Sequence, residues 1–278
     1  MNQTHKFVFF GTPKVASDTL EVLIAHNFIP AVVVTSPDAP KDRGLTLTPS
    51  ETKTLALAHN IPILTPQKLD AEAISAIRNY GCDYAIVVAY GKIFPEELIA
   101  SFPMGVINVH YSLLPKYRGA TPLEGALLAG EKETGVTIQQ MKYELDAGAI
   151  LAQESTAIAP TETARELRPL LIVLGAKLLA DTLPAFLKGE IKPILQDDSL
   201  ASYSHKLKKE DGLLELNAIA EENWNKYRAY SDSIGTYFFK DDKRIKITSA
   251  SLKNGKFVIE RVIPEGKNEM AYTESRQS

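Results

Sequence analysis

The chain has 278 residues, 45% apolar and 23% charged, with a formal net charge of −3. That length suits one large or two modest domains with a sizeable core. The charge excludes a uniformly basic nucleic-acid binder, so any RNA contact must come from local patches. The one cysteine, Cys82 between Gly81 and Asp83, excludes an internal disulfide and a cysteine metal cluster. It reads as a small core residue and fits a reducing compartment. The opening M-N-Q-T-H-K-F-V-F-F has no apolar core ahead of a cleavage site, and no run approaches the roughly 18 apolar residues of a membrane span. A cytoplasmic location without a membrane is expected.

Lys6 to Phe10 is a short apolar strand, followed by Gly11-Thr12-Pro13 and an amphipathic helix to about Ala25. Strand, glycine turn and helix open a parallel α/β sheet. Neither G-x-G-x-x-G nor G-K-[ST] is present, so no dinucleotide site or phosphate loop is supported. Pro30 to Thr35 is a second buried strand. Ser36 to Ser50 then reads as a long loop without regular structure, a kind that is often functional. It carries Lys41 and Arg43 beside Gly44, and a solvated proline-rich surface loop is an equal reading.

Glu51 to Asn60 reads as a helix, Ile61 to Leu64 as a strand and Ala71 to Tyr80 as a helix. Tyr84 to Ala89 is continuously apolar, as in a sheet covered on both faces. Tyr90-Gly91 follows as a strand–helix turn, and Pro95 to Ser101 is a short helix. The next stretch is the centre of the chain: G-V-I-N-V-H-Y-S-L-L-P-K-Y-R-G, residues 105–119. Val106, Ile107 and Val109 mark a buried strand. Residues i and i+2 of a strand point to one side, so Asn108 and His110 face the same way at its carboxyl end. Pro115 ends the pattern. A carboxamide can stabilise an oxyanion and an imidazole can move a proton near neutral pH, the parts acyl transfer needs. Singly, either residue is more often a satisfied structural group. Asp146, in the turn L-D-A-G-A-I-L, adds a carboxylate able to orient His110 and raise its pKa, although a turn Asp is commonly only a turn former.

Pro122 to Ala129 reads as a helix, and Gly135 to Met141 and Ala149 to Ile158 as strands flanking the Asp146 turn. Thr161 to Leu187 is a long helical region with Thr161 as N-cap, Gly189 as the stop and Pro169 as a kink or break. Ile191 to about Lys209 is a linker, in which His205 is an exposed residue. Glu210 to Ala229 is helical. From Tyr237 the pattern alternates and turns like a small β-barrel, with Asn254-Gly255 as a hairpin signal. Thr236 to Lys267 holds eight Lys and Arg against four Asp and Glu, a local excess of four positive charges. Such a surface suits a phosphate backbone, and a merely solvated lysine-rich face is nearly as good a reading. The tail after Met270 is polar and expected to be disordered.

Asn108, His110 and S-L-L-P (112–115), with Arg118-Gly119, T-G-V-T (134–137) and L-D-A-G-A-I-L (145–151), resemble the formyltransferases that use 10-formyltetrahydrofolate; the wider chain is most similar to the methionyl-tRNA formyltransferases. The resemblance is strong from about Lys6 to Leu187, fair through the linker and weak beyond Tyr230. It implies an α/β fold: a Rossmann-like, mostly parallel formyltransferase domain over 1–189, a linker over 190–209, and a shortened OB-like barrel over 210–278 that binds tRNA. It implies catalysis by Asn108, His110 and Asp146. Val88, Ala89, Tyr90 and Gly91 would line the pterin pocket, and Ser112, Leu113, Leu114 and Pro115 would wall the folate. Lys41 and Arg43 would contact initiator Met-tRNA. 10-Formyltetrahydrofolate would be the formyl donor, with no metal, in a monomer.

The chain departs from the family at Leu45 and Thr46, where relatives are richer in lysine, at S-D-S-I-G (231–235), and between Ile247 and Phe257, where the barrel looks abbreviated. Tyr111 stands where relatives carry a small residue, and would either narrow the mouth of the site or fold outward. The rivals are a sugar-nucleotide N-formyltransferase, which shares the trio, a glycinamide-nucleotide formyltransferase, a folate-dependent hydrolase and a non-catalytic tRNA binder. The Ser36–Ser50 loop with D-R-G and the K-L-K-K-E-D-G stretch (206–212) favour the tRNA enzyme over the sugar enzyme.

Overall fold

The computed structural model describes residues 5–41 and 46–273. The chain divides into two compact units. One comprises Met1–Arg118, Gly135–Ser155 and Leu171–Ala201; the other comprises Gly119–Thr134, Thr156–Leu170 and Ser202–Ser278.

The described elements run β1 (Phe7–Gly11), α1 (Lys14–Ala25), β2 (Val32–Val34), β3 (Ala39–Lys41), β4 (Thr46–Thr48), α2 (Glu51–Ala58), β5 (Ile63–Leu64), α3 (Ala71–Arg78), β6 (Tyr84–Val88), α4 (Glu96–Ala100) and β7 (Val106–His110). They continue as β8 (Arg118–Gly119), α5 (Pro122–Leu128), β9 (Glu133–Gln140), β10 (Ala149–Ala157), α6 (Ala164–Leu187), β11 (Tyr203–Ser204), α7 (Ala220–Tyr230), β12 (Thr236–Lys240), β13 (Lys243–Lys253), β14 (Lys256–Pro264) and β15 (Met270–Ala271).

The first unit is built on a seven-stranded sheet in the order β10-β9-β7-β6-β1-β2-β5. Strands β5, β2, β1, β6 and β7 are parallel, and β9 runs antiparallel to β7. The chain leaves β1 toward β2 and later returns to β6 on β1's other side. The carboxyl ends of β1, β6 and β7 therefore open at a topological switch point, where open α/β sheets bind ligands. Every residue of β1, β6 and β7 is buried, as the apolar runs require of a sheet covered on both faces. One face packs Val8, Phe10, Val32, Val34, Ala85, Val87 and Val106 with Ile74, Ile77 and Leu98 from the helices. On the other, Phe7 stacks on Tyr84 at 5.1 Å, and Tyr84 meets Phe186 of α6 edge-on at 6.0 Å. Cys82 packs against the first core, and burial pushes its thiol up to about 11.

Four expectations need correction. The described part of Ser36–Ser50 is a hairpin arm: Ala39 pairs with Thr48, Pro40 with Leu47 and Lys41 with Thr46. Proline is tolerated there because the ribbon has only two strands, so one side of Pro40 needs no partner. The long helix starts at Ala164, because Thr163-x-x-Glu166 makes a capping interaction. The Glu166 carboxylate accepts from the Thr163 N–H at 2.9 Å and its hydroxyl at 2.8 Å, and these bonds lower its pKa. Pro169 does not divide α6, which is continuous to Leu187. The bond it forgoes is a single early one, and buried Leu167, Leu171, Leu179 and Leu183 hold the helix in place. By length and composition α6 is also apolar enough to cross a membrane, contrary to the sequence reading.

In the second unit β12-β13-β14-β15 form an antiparallel sheet around Leu214, Phe238, Ile245, Ile247 and Val262. Asn254 and Gly255 have φ of 50° and 73° and close the β13–β14 hairpin, as the sequence predicts. Asp241 and Asp242, with φ of 50° and 58°, close the β12–β13 hairpin in the same way. The segment between Ile247 and Phe257 that looked abbreviated is the continuation of β13, bulged near Ser249. Of the tail expected to be disordered, Ala271 pairs with Arg261 and Tyr272 meets Phe238 at 5.6 Å. Ile107 sits fully buried in the central strand. Ile107→Ala should lower the unfolding free energy by about 2–5 kcal/mol without changing the urea slope, measured by chemical denaturation.

Candidate active site

Strand β7 delivers Asn108 and His110 to the carboxyl edge of the sheet on one side, 9% and 5% exposed. Asn108 pairs in register with Val87 of β6 and Gln139 of β9, and His110 with Thr137. The turn after β9 brings in Asp146, with φ of 47° in the left-handed region that Asp tolerates. Two residues on, a Cβ on Gly148 would lie 1.8 Å from the Gln140 carbonyl. Only glycine fits, which explains the D-A-G sequence in physical terms.

The three sequence-predicted residues converge. His110 Nδ1 lies 3.6 Å from Asp146 Oδ2, and Asn108 Nδ2 donates a long bond of 3.4 Å to Asp146 Oδ1. An amide carries two N–H donors, so Asn108 keeps a second for another acceptor. Two participants were not foreseen. Gln139 Nε2 donates to the same Asp146 oxygen at 2.9 Å. The only hint of it was its place on the strand beside β7. His110 Nε2 meets the Tyr117 carbonyl at 2.9 Å, a backbone partner that no side-chain pattern reveals. A carbonyl only accepts, so this contact is a hydrogen bond in the tautomer with the proton on Nε2, which leaves Nδ1 as the atom able to take one.

Burial is the largest influence on the imidazole and lowers its pKa; Asp146 and then the Tyr117 carbonyl push the other way without overcoming it. The raising influence expected of Asp146 is present, although the net shift is downward. The carboxylate acts in the expected direction, but at 5% exposure desolvation outweighs it.

The other predicted residues lie beside the trio in the sheet or in its loops. Val88 ends β6 next to Asn108's strand, and Ala89 (φ 46°) and Gly91 (φ 79°) expose their backbone while Tyr90 turns inward. Tyr90 packs edge-on with Phe10 at 5.4 Å, and burial raises its hydroxyl to about 12. The Ser112–Pro115 segment is pinned. Thr137 Oγ1 donates to the Ser112 carbonyl at 2.6 Å and accepts from Leu114 N at 3.1 Å. Gln153 donates to the Leu114 carbonyl at 3.0 Å, and the Leu114–Pro115 bond is cis. Tyr111 points away from the trio: its ring lies beside Val109 at Gly175 of α6, 3.2 Å from where a Cβ would stand. Lys41 ends β3, and Arg43 lies outside the described residues.

A carboxamide, a buried imidazole and a carboxylate at the switch point of such a sheet fit the class of formyltransferases. Residues 5–183 match the formyl transferase family and residues 206–271 match the formyl transferase C-terminal domain; the chain belongs to this enzyme family. It is 41% identical over 251 residues to the methionyl-tRNA formyltransferase of Citrifermentans bemidjiense, covering 90% of this chain and 79% of that one. It is 40% identical to that of Heliobacterium modesticaldum, with the same coverage. The methionyl-tRNA formyltransferase of Clostridium thermocellum shares the fold, with a TM-score of 0.63 at 16% identity over 94% of this chain and 98% of that one. So does an N-formyltransferase from Helicobacter canadensis, solved with folinic acid and dTDP-3-aminofucose, with a TM-score of 0.70 at 21% identity over 90% and 89%.

The His110 ring should titrate with a midpoint below 6.5 in NMR, and Asp146→Asn should move it lower still; a midpoint above 6.5 would contradict the burial argument. A depressed folded-state pKa contributes stability at pH above the unfolded value, about 6.5, and loses it as pH falls toward the folded value.

Proposed function

We infer that this chain moves a formyl group from 10-formyltetrahydrofolate to the α-amine of methionyl initiator tRNA, with Asn108, His110 and Asp146 as the catalytic residues. The observation that carries the reading is the convergence of Asn108, Gln139 and His110 on one carboxylate, in a chain about 40% identical to methionyl-tRNA formyltransferases. The donor supplies a formyl group bonded to nitrogen. The exposed backbone of Ala89 and Gly91 and the pinned Ser112–Pro115 segment fit a flat heterocycle, offering donors and acceptors on one side and Leu113 and Pro115 on the other.

A new bond forms between the amine nitrogen and the formyl carbon, and the carbon's bond to the donor nitrogen breaks. One proton leaves the amine and one reaches the donor nitrogen, with no redox change. Asn108 directs its second N–H at the formyl oxygen, where negative charge develops. His110, neutral near pH 7, takes a proton at Nδ1 and returns it. Asp146 faces that nitrogen and stabilises the transient imidazolium. Cytoplasmic initiation of translation is the setting this reaction serves.

For tRNA, Lys41 at the end of β3 and Arg43, which lies outside the described residues, are the proposed first contact. The second unit supports a further one. Tyr237 pairs with Lys246 and Phe239 with Arg244 across β12 and β13, so these four share a face. The Arg244 guanidinium lies 3.9 Å over the Tyr237 ring, and Phe239 is 57% exposed. Cations beside an open aromatic ring suit phosphate and base contact. The sugar-nucleotide reading, which shares the trio, has support here from structural neighbours of 18–21% identity, which share the fold.

Labelled formyl from 10-formyltetrahydrofolate, offered charged initiator Met-tRNA and an amino-sugar nucleotide together, should appear on the tRNA; label on the sugar would overturn the acceptor assignment. Asn108→Ala should cut kcat by about 10²–10³ and His110→Ala by about 10²–10⁴. Arg43→Ala, by contrast, should raise the KM for Met-tRNA at unchanged kcat in the same steady-state assay.

A further inference from the structure

We propose that Gln196 and Arg118 form a clamp that positions Asp146 against His110, so that the segment following α6 completes the catalytic site. The proposal rests on the trio being catalytic. Sequence reading assigns residues 190–209 to a linker, yet this segment is attached to the site at three levels. Ile194 and Ile150 form an antiparallel bridge with backbone bonds of 2.8 and 2.9 Å. The Gln196 amide then donates to the Asp146 carbonyl at 2.8 Å and the Gly148 carbonyl at 2.7 Å. Finally, Gln196 Oε1 accepts from Arg118 Nε at 3.1 Å and Nη2 at 2.8 Å, and the same Nη2 reaches Asp198 at 2.7 Å.

The amide's orientation is fixed by its neighbours. Two carbonyls on one side require the NH₂, and a guanidinium on the other requires the oxygen. A flip would oppose acceptor to acceptor and donor to donor. The two carbonyls bracket Asp146–Gly148, the part of the turn that carries the left-handed φ and the close approach to Gln140. Arg118 is 3% exposed and directly follows Tyr117, whose carbonyl accepts from His110. One guanidinium therefore anchors the chain beside both oxygens that flank the imidazole. Gln196 touches no reacting atom in this scheme; it is a positioning residue, acting by where it holds Asp146. A misplacement of about 1 Å at such a distance costs about 10²-fold in rate.

Gln196→Met keeps the length of the side chain and removes both its donor and its acceptor; Gln196→Glu keeps the acceptor for Arg118 and sets an oxygen against the two carbonyls. Each variant is assayed for kcat and KM with Met-tRNA, for thermal midpoint, and for the NMR midpoint of His110. Both variants should lose about 10–100-fold in kcat with KM within about 2-fold. Both should shift the His110 midpoint toward that of Asp146→Asn. Added to Asp146→Asn, Gln196→Met should cost little more, because the two changes remove one interaction. Unchanged kcat and an unmoved His110 midpoint would overturn the clamp. So would a fall in thermal midpoint with the His110 midpoint unmoved and losses that simply add, which is how a purely structural residue behaves. The His110 midpoint does not depend on the acceptor, so a shift there stands even if Met-tRNA proves to be the wrong substrate.

Discussion

The site depends on one carboxylate being held almost dry. Asp146 has 13% of its side chain exposed, and a buried charge is tolerated only where donors surround it. Two strands supply them through register alone: Asn108 on β7 and Gln139 on β9 are direct partners, and both amides reach the same oxygen. The other oxygen faces the imidazole. The turn that offers the carboxylate exists because Asp accepts a positive φ and Gly148 has no side chain to strike Gln140. Moving β9 by one residue would exchange Gln139 for a neighbour facing the opposite side, and the carboxylate would lose its shorter bond.

His110 sits between two acceptors, the Tyr117 carbonyl and Asp146. Either neutral tautomer satisfies one and leaves a lone pair facing the other, whereas the imidazolium satisfies both. Burial opposes that charge and sets the net direction. Burial therefore favours the neutral ring, the form a general base needs before it can accept a proton. The opposing influences also explain why positioning matters. The distance from Asp146 to Nδ1 sets how far the carboxylate offsets desolvation, and geometry there is chemistry by another name.

Much of this was legible in the sequence. The apolar runs of β1, β6 and β7 could only be strands covered on both faces, the i, i+2 spacing put Asn108 and His110 on one side, and Asn254-Gly255 dictated a hairpin. What was hidden has a physical reason in each case. Gln139 matters only through its register with β7. The Tyr117 partner is backbone. Gln196 lies 50 residues from Asp146, in a stretch whose polarity reads as linker. The direction of the His110 pKa depends on desolvation, which a sequence does not display. The Thr163–Glu166 cap and the paired aspartates at the β12–β13 turn, by contrast, were written in the residues: T-x-x-E is a capping signature, and Asp tolerates positive φ.

Helix α6 shows how a fold constraint serves the site. Its composition would pass for a membrane span, and part of its apolar surface has partners within the fold: Phe186 meets Tyr84, and Leu179, Ala180 and Leu183 are buried, while Leu170 and Val173 are exposed. Exposed Lys177 and Asp181 pair at 2.6 Å one turn apart. Its length and apolarity follow from the breadth of sheet it covers. At Gly175 it also leaves room for the Tyr111 ring beside Val109. Tyr111 and Val109 alternate in sequence with Asn108 and His110. The side of β7 that faces α6 therefore takes the bulk, including a tyrosine where a small residue was expected, and the opposite side stays open for the amide and the imidazole. A Cβ at position 175 would stand 3.1 Å from Val136, 3.2 Å from Tyr111 and 3.3 Å from Val109, so these neighbours would have to give by a few tenths of an ångström on the side of β7 opposite the amide and the imidazole.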